Sequence, residues 1–345
     1  MRYLSAIVLA GVLAGVPVWL TAGAGGESPR KEKIQGYAEW KKGDLLVVDG
    51  QRVQAVATTR FKGRRIQHIR EVPLGDEVEV RGVRDAAGIV IAESIEVKPN
   101  GSAMFEGEVR NATDQMEAQW LQAREVRQPG ADGQLTSVGK LVESGPDVQR
   151  VQRVVNRLRP PYVSPDQIRV HVVDTKAWNA MAMGNGAVWV FTGLLRDLDD
   201  DELAIVVGHE LAHYTHEHSR RGMRRAMWAQ LLAVGVTAAA AETVDSRKTK
   251  EIIGIASLFS MLAWKNGYGR DLEDQADRVG MRYAYEGGFD VRKGPGVWQR
   301  VREKQGQESR LQNFFLSEHS LASVRQKNLE REIALNYATP ARPRR

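Results

Sequence analysis

Two periodicities divide the chain. Over residues 34–97 apolar and polar side chains alternate with a period of two, as in Leu45-Leu46-Val47-Val48, Gln51-Arg52-Val53-Gln54-Ala55-Val56 and Gly75-Asp76-Glu77-Val78-Glu79-Val80-Arg81-Gly82, and again over 89–97. Successive side chains of a strand point to opposite faces. Alternation cut by glycine turns such as Asp49-Gly50 therefore predicts the short antiparallel strands of a small barrel. Residues 105–109 read as a further strand, 116–126 fit helix or strand, and 129–133 form a turn or linker. A domain boundary falls near Ser137. Beyond it the period lengthens: Val148, Val151, Val154, Val155 and Leu158 share one face of a helix that Pro160-Pro161 stops. Strands are predicted at 168–174 and 187–192, and helices at 203–213 and 270–280.

Three apolar runs bear on a membrane. Residues 1–26 open with Arg2, continue apolar to Leu20 and end in small residues, with Ala22-Gly23-Ala24 as a cleavage motif. This is the build of a secretory signal, and Gly11, Gly15 and Pro17 disfavour a stable spanning helix. An uncleaved N-terminal anchor is the alternative; either way the expected location is periplasmic or secreted. Residues 226–241 and 252–264 are each shorter than the ~20 residues that span a bilayer, so packing in or on the protein is expected.

Composition narrows the chemistry. With 345 residues there is room for two domains. Cysteine is absent, which excludes disulfides, thiolate ligands, a cysteine nucleophile and a lipid-modified cysteine. Any metal must be held by His, Asp or Glu. The net charge of +6 comes from basic residues scattered among many acids, a weak case for nucleic acid. The basic stretch 60–65 is interrupted only by Phe61 as a stacking platform, and reads as a solvated hairpin loop. His68 has no assigned role.

The sharpest chemical pattern is His209-Glu210-Leu211-Ala212-His213, inside an apolar helix. At roughly 100° per residue the two histidines lie on one face, offset by about 40°, so both rings reach one metal ion. Glu210 projects beside the metal, where a carboxylate can take a proton from water. Two histidines and a glutamate buried together need a partner to offset their desolvation, and one Zn2+ per chain supplies it. The chain departs from HExxHxxGxxH, because His216 stands where glycine is required and Ser219 where a third histidine would be. The third ligand is instead sought on a later helix. Glu273 and Asp277 lie four apart there, so Glu273 can bind the metal while Asp277 accepts the second N–H of a ligating histidine. His216 and His218 read as rim or structural residues. The strand before the zinc helix, with Asn179, Ala180 and Val190, either forms an edge on which an extended substrate adds as one more strand or is simply core.

These residues carry a family resemblance. His209-Glu210-Leu211-Ala212-His213 with Glu273-Asp274-Gln275-Ala276-Asp277-Arg278-Val279-Gly280, preceded by Asn179-Ala180 and Thr192-Gly193-Leu194-Leu195, resembles the zinc metallopeptidase family of HtpX and the CAAX prenyl endopeptidases, family M forty-eight. The match runs over about residues 142–336. It implies a thermolysin-like site with zinc on His209, His213 and Glu273, and Glu210 as general base and then proton donor. Ser317-Glu318-His319-Ser320 followed by Arg325 stands where the family has a Ser-Thr-His-Pro stretch before an Arg-containing helix; the proline is missing, and His319 is the implied oxyanion stabiliser. The chain is most similar to soluble periplasmic members that act in envelope quality control.

The expected fold class is α+β: a mainly helical gluzincin-type metallopeptidase domain with a small β-sheet, preceded by a small all-β barrel whose cadence resembles OB-like barrels of envelope proteins. The expected division is a signal peptide at 1–26, the barrel at 33–100, a linker or additional strands at 101–137, the peptidase at 138–338 and a basic tail at 339–345. Expected partners are polypeptide substrates, with peripheral contact to a membrane or an envelope protein and none with nucleic acid. Two other functions stay open: an envelope chaperone-like or binding module with weak peptidase turnover, and a barrel-led ligand-binding protein with an accessory peptidase.

Overall fold

The computed structural model describes residues 31–63, 66–98, 106–129, 135–223, 270–305 and 322–337. The N-terminal residues 1–30, the apolar runs 226–241 and 252–264, His319 and the tail 339–345 lie outside them. Among the described residues no helix is long and apolar enough to cross a membrane.

The period-two region closes into a barrel of β1 (Lys31–Lys42), β2 (Leu45–Val48), β3 (Gln51–Gly63), β4 (Glu77–Arg84) and β5 (Val90–Lys98), ordered β1-β2-β3-β5-β4. Pairing is antiparallel except between β3 and β5, and β4 returns to β1 to close it. The inward set, including Leu46, Val48, Val53, Val78, Val80, Val90 and Ile95, forms its own core. Phe61 packs against this core, so its ring is not an open stacking platform.

Residues 105–109 differ from the expected strand. Helix α1 (Glu106–Ala123) begins there. The short alternation Glu-Gly-Glu-Val imitates a strand, whereas the buried positions Val109, Thr113, Glu117 and Trp120 recur at helical spacing and decide the outcome. A second sheet follows, with β6 (Glu125–Pro129) and β7 (Leu135–Val142) as a hairpin, so Ser137 lies inside a strand rather than at a boundary. After α2 (Pro146–Leu158) come β8 (Arg169–Asp174), β9 (Ala180–Ala182) and β10 (Ala187–Phe191), in the order β6-β7-β8-β10-β9. Strand β10 is buried on both faces. Val188 and Val190 join the main core with α2, while Ala187, Trp189 and Phe191 pack on the other side with Trp120 of α1. Helices α3 (Thr192–Asp197), α4 (Asp200–Thr215), α5 (Arg270–Glu286), α6 (Gly294–Gln305) and α7 (Ala322–Asn336) complete the described part of the second domain.

The fold thus delivers α4 to the centre of the main core, buried along nearly its whole length. Its N-terminus is set by a capping box. Asp199 accepts from the Glu202 amide at 3.0 Å, and the Glu202 side chain accepts from the Asp199 amide at 3.0 Å. Where α5 crosses α4, glycine faces glycine: a Cβ on Gly280 would lie 2.5 Å from the His209 backbone nitrogen, and one on Gly208 would lie 2.8 Å from the Gly280 carbonyl oxygen. Only this pair lets the two backbones approach closely enough for short acidic side chains of α5 to meet histidines of α4.

Candidate metal centre

The close crossing brings His209 and His213 of α4 together with Glu273 of α5. The two Nε2 atoms are 3.0 Å apart, and Glu273 places one oxygen 3.4 Å from His209 Nε2 and the other 3.7 Å from His213 Nε2. All three side chains are about 1% exposed. Tetrahedral zinc with bonds of about 2.0–2.1 Å needs ligand atoms about 3.3 Å apart, a spacing close to these separations, and three protein donors leave a fourth position.

The charge of the cluster makes the same point. Glu210, Glu273 and Asp277 are buried here against the one guanidinium of Arg325. Three buried carboxylates gathered beside two histidine rings make a strongly negative, ligand-rich site, an environment that favours a divalent cation. The His209 ring responds to the same field: burial and the Arg325 charge push its pKa down, but Asp277 and Glu273 outweigh them and the net direction is upward.

The supporting shell is built on both sides. His209 Nδ1 is 2.9 Å from Asp277 Oδ1, which leaves Nε2 facing Glu273 and His213. Arg325, from α7, grips Asp277 with Nε at 2.8 Å and Nη2 at 2.6 Å, and its Nη1 lies 3.3 Å from Glu273. Arg325 Nη2 is also 2.9 Å from His209 Nδ1, yet its shorter bond is to Asp277, so the histidine N–H goes to that same carboxylate. Burial alone would raise the Asp277 carboxyl; the Arg325 charge and the bonds from Arg325 and His209 bring it below its ordinary range. The guanidinium stacks 3.5 Å above the Trp298 ring of α6. The sequence marks Arg325 only as part of its helix, because nothing local in Ser323-Val324-Arg325-Gln326 signals a partner almost fifty residues away.

His216 and His218 are both fully buried, which rules out the rim and leaves the structural reading. Helix α4 ends at Thr215, and Glu217 takes a left-handed backbone with φ of 50°. In an unbroken helix His218 would turn about 140° away from His213. The break instead sets its Nδ1 2.8 Å from His213 Nδ1. Burial and the Arg221 charge push the His218 pKa down to about 3, against the Gln275 hydrogen bond and Glu273, so the ring is neutral.

Glu210 is 4% exposed and points toward β9, its Oε2 3.4 Å from the Ala182 backbone nitrogen. Strand β9 is the sheet's edge, so Ala180 lies on an edge strand. Asn179 immediately precedes it, buried, its carbonyl accepting from Phe191 N–H at 3.0 Å. Val190 does not belong to the edge: it sits on β10, between β8 and β9, with its side chain in the core. A three-residue strand shows no readable alternation, so the sequence declares only the longer neighbouring strand β10.

Comparison with known proteins gives a family for each domain. Residues 147–333 match Peptidase family M48, and residues 35–96 match a domain of unknown function, DUF5666, over the barrel. Metalloendopeptidase OMA1, mitochondrial, of Bos taurus is 31% identical over 144 residues, covering 41% of this chain and 27% of its own length. The Beta-barrel assembly-enhancing protease of Yersinia pestis is 28% identical over 176 residues, 49% of this chain and 34% of its own. Metalloprotease YcaL of Escherichia coli (strain K12) is 29% identical over 167 residues, 48% of this chain and 63% of its own. The chain therefore spans less than two thirds of the length of these relatives.

Proposed function

Since the chain belongs to peptidase family M48, we propose that it is a zinc-dependent endopeptidase that hydrolyses extended or misfolded polypeptides in the cell envelope. The observation that carries the reading is the convergence of His209, His213 and Glu273, whose ligand atoms all lie within 4.8 Å of one another. Those three residues would hold the metal. Bound zinc would polarise a scissile carbonyl and acidify water.

The remaining steps belong to the chain's own side chains. Glu210, next to His209 on α4, takes the proton of the attacking water and passes it to the leaving amine; its buried carboxylate faces the edge strand on which the substrate would pair. Strand β9 offers its outer edge to an extended peptide, whose backbone pairs with it much as β10 pairs on the inner side. Backbone pairing is tolerant of sequence, which suits misfolded substrates. Asn179 holds the start of that edge strand to Phe191. His319 is assigned to the oxyanion by family resemblance alone.

An envelope location is supported by the signal-like residues 1–26, and one relative is named for enhancing β-barrel assembly. Contact with a membrane or an envelope protein is proposed on the same footing. Casein digestion tests the class of chemistry. It is expected to stop when a strong chelator is added and to return with one equivalent of Zn2+; digestion indifferent to the chelator would refute the metal mechanism.

A further inference from the structure

The barrel reaches the metal centre through a chain of side chains whose hydrogen-bond directions are fixed from one end. Two barrel carboxylates stand there: Glu39 of β1, 3% exposed, and Asp49 in the turn between β2 and β3. The turn is an Asp-Gly pair with φ of 44° and 76°, the left-handed conformation a two-residue hairpin requires. It is pressed against α5, since a Cβ on Gly50 would lie 3.1 Å from the Arg278 guanidinium. Gly36 leaves room on the other side, where a Cβ would lie 2.4 Å from the Asp49 carboxyl carbon.

Both carboxylates accept from Gln275 Nε2, at 2.8 Å for Glu39 and 2.7 Å for Asp49. Carboxylates only accept, so the amide must turn its NH2 to the barrel and its oxygen toward α4. Arg221, which can only donate, agrees: it donates to Gln275 Oε1 and, at 2.8 Å, to Asp49. Gln275 Oε1 lies 3.0 Å from His218 Nε2, which must then carry the proton. The 2.8 Å contact between His218 Nδ1 and His213 Nδ1 holds one proton, and with the His218 Nε2–H already given to Gln275 the bond runs from His213 Nδ1 to His218 Nδ1. His213 Nε2 is left with its lone pair, turned toward His209 and Glu273.

We propose that the barrel is part of the catalytic unit: Glu39 and Asp49 set the tautomer of the zinc ligand His213 by way of the positioning residues Gln275 and His218. The role rests on the metallopeptidase reading, and it assigns to His213 the orientation that Asp277 gives to His209. A second-sphere partner of this kind is worth 10- to 100-fold in metal affinity.

The test uses the full chain and two measurements. Two-bond nitrogen–proton spectra of the histidine rings in the metal-free protein should show His213 protonated on Nδ1 and His218 on Nε2; His218 protonated on Nδ1 would overturn the proposal without any substitution. Zn2+ affinity, read by chelator competition, should fall about 10- to 100-fold in His218→Phe. His218→Asn, whose Oδ1 restores an acceptor near the position of Nδ1, should recover most of that loss. The Glu39→Gln, Asp49→Asn double variant should weaken Zn2+ about tenfold and disturb the His213 ring signals. Wild-type affinity in His218→Phe, or in the double variant with unchanged ring signals, would overturn the proposal; if a variant fails to fold, the wild-type spectrum decides. A wild-type chain that binds no Zn2+ would refute the metallopeptidase reading instead, and the ring spectrum tells the two failures apart.

Discussion

Glu210→Gln is expected to lower casein cleavage by about 10²–10⁴-fold, the usual contribution of a positioned general base. The substitution is nearly isosteric and removes one charge, so the fold should hold. Zinc content should also hold, because the donors proposed for the metal are His209, His213 and Glu273 and not Glu210. The reason for a large effect is placement: the Glu210 carboxylate is buried on α4 and lies against β9, where no other acidic side chain among the described residues shares its position. Cleavage that persists unchanged would remove Glu210 from the mechanism. Chaperone-like activity that survives the same change would favour the binding-module alternative.

Arg325→Leu is expected to cost about 3–5 kcal/mol of stability in the metal-free protein, the loss typical when one partner of a buried ion pair is removed. The guanidinium is 1% exposed and neutralises both Asp277 and Glu273 from a third helix, while Trp298 covers its face. Without it two carboxylates stay buried close together and lose the guanidinium that faces them both. Bound zinc brings positive charge to the same cluster, so the deficit should shrink when the variant is loaded. Denaturant midpoints of the variant and the wild type, with and without zinc, measure both effects. Equal midpoints in the metal-free proteins would show that the Arg325 pair carries no net stability.

What could be read from the chain follows the range of each interaction. The barrel was legible because its strands declare themselves within a few residues, as in Glu77-Val78-Glu79-Val80. The cluster of three candidate donors was legible for a similar reason: His209 and His213 share a helix face, and Glu273 and Asp277 share another, so only one long-range step joins them. Short signals misled where they were incomplete. The alternation at 105–109 imitated a strand inside α1, and β9 was too short to show any pattern. Arg325, His218 and Gln275 depend on where helices end and cross. His218 turns toward His213 only because the backbone breaks at Glu217, and Gln275 finds its partners in the other domain. Such contacts leave no local trace.

The central claim is that His209, His213 and Glu273 together hold one zinc ion. Metal content of the purified full chain, measured for the wild type and Glu273→Ala side by side, tests it most directly. The account predicts about one zinc per wild-type chain and a marked loss from the variant, with cleavage lost in parallel. Equal zinc occupancy in the two proteins would contradict it.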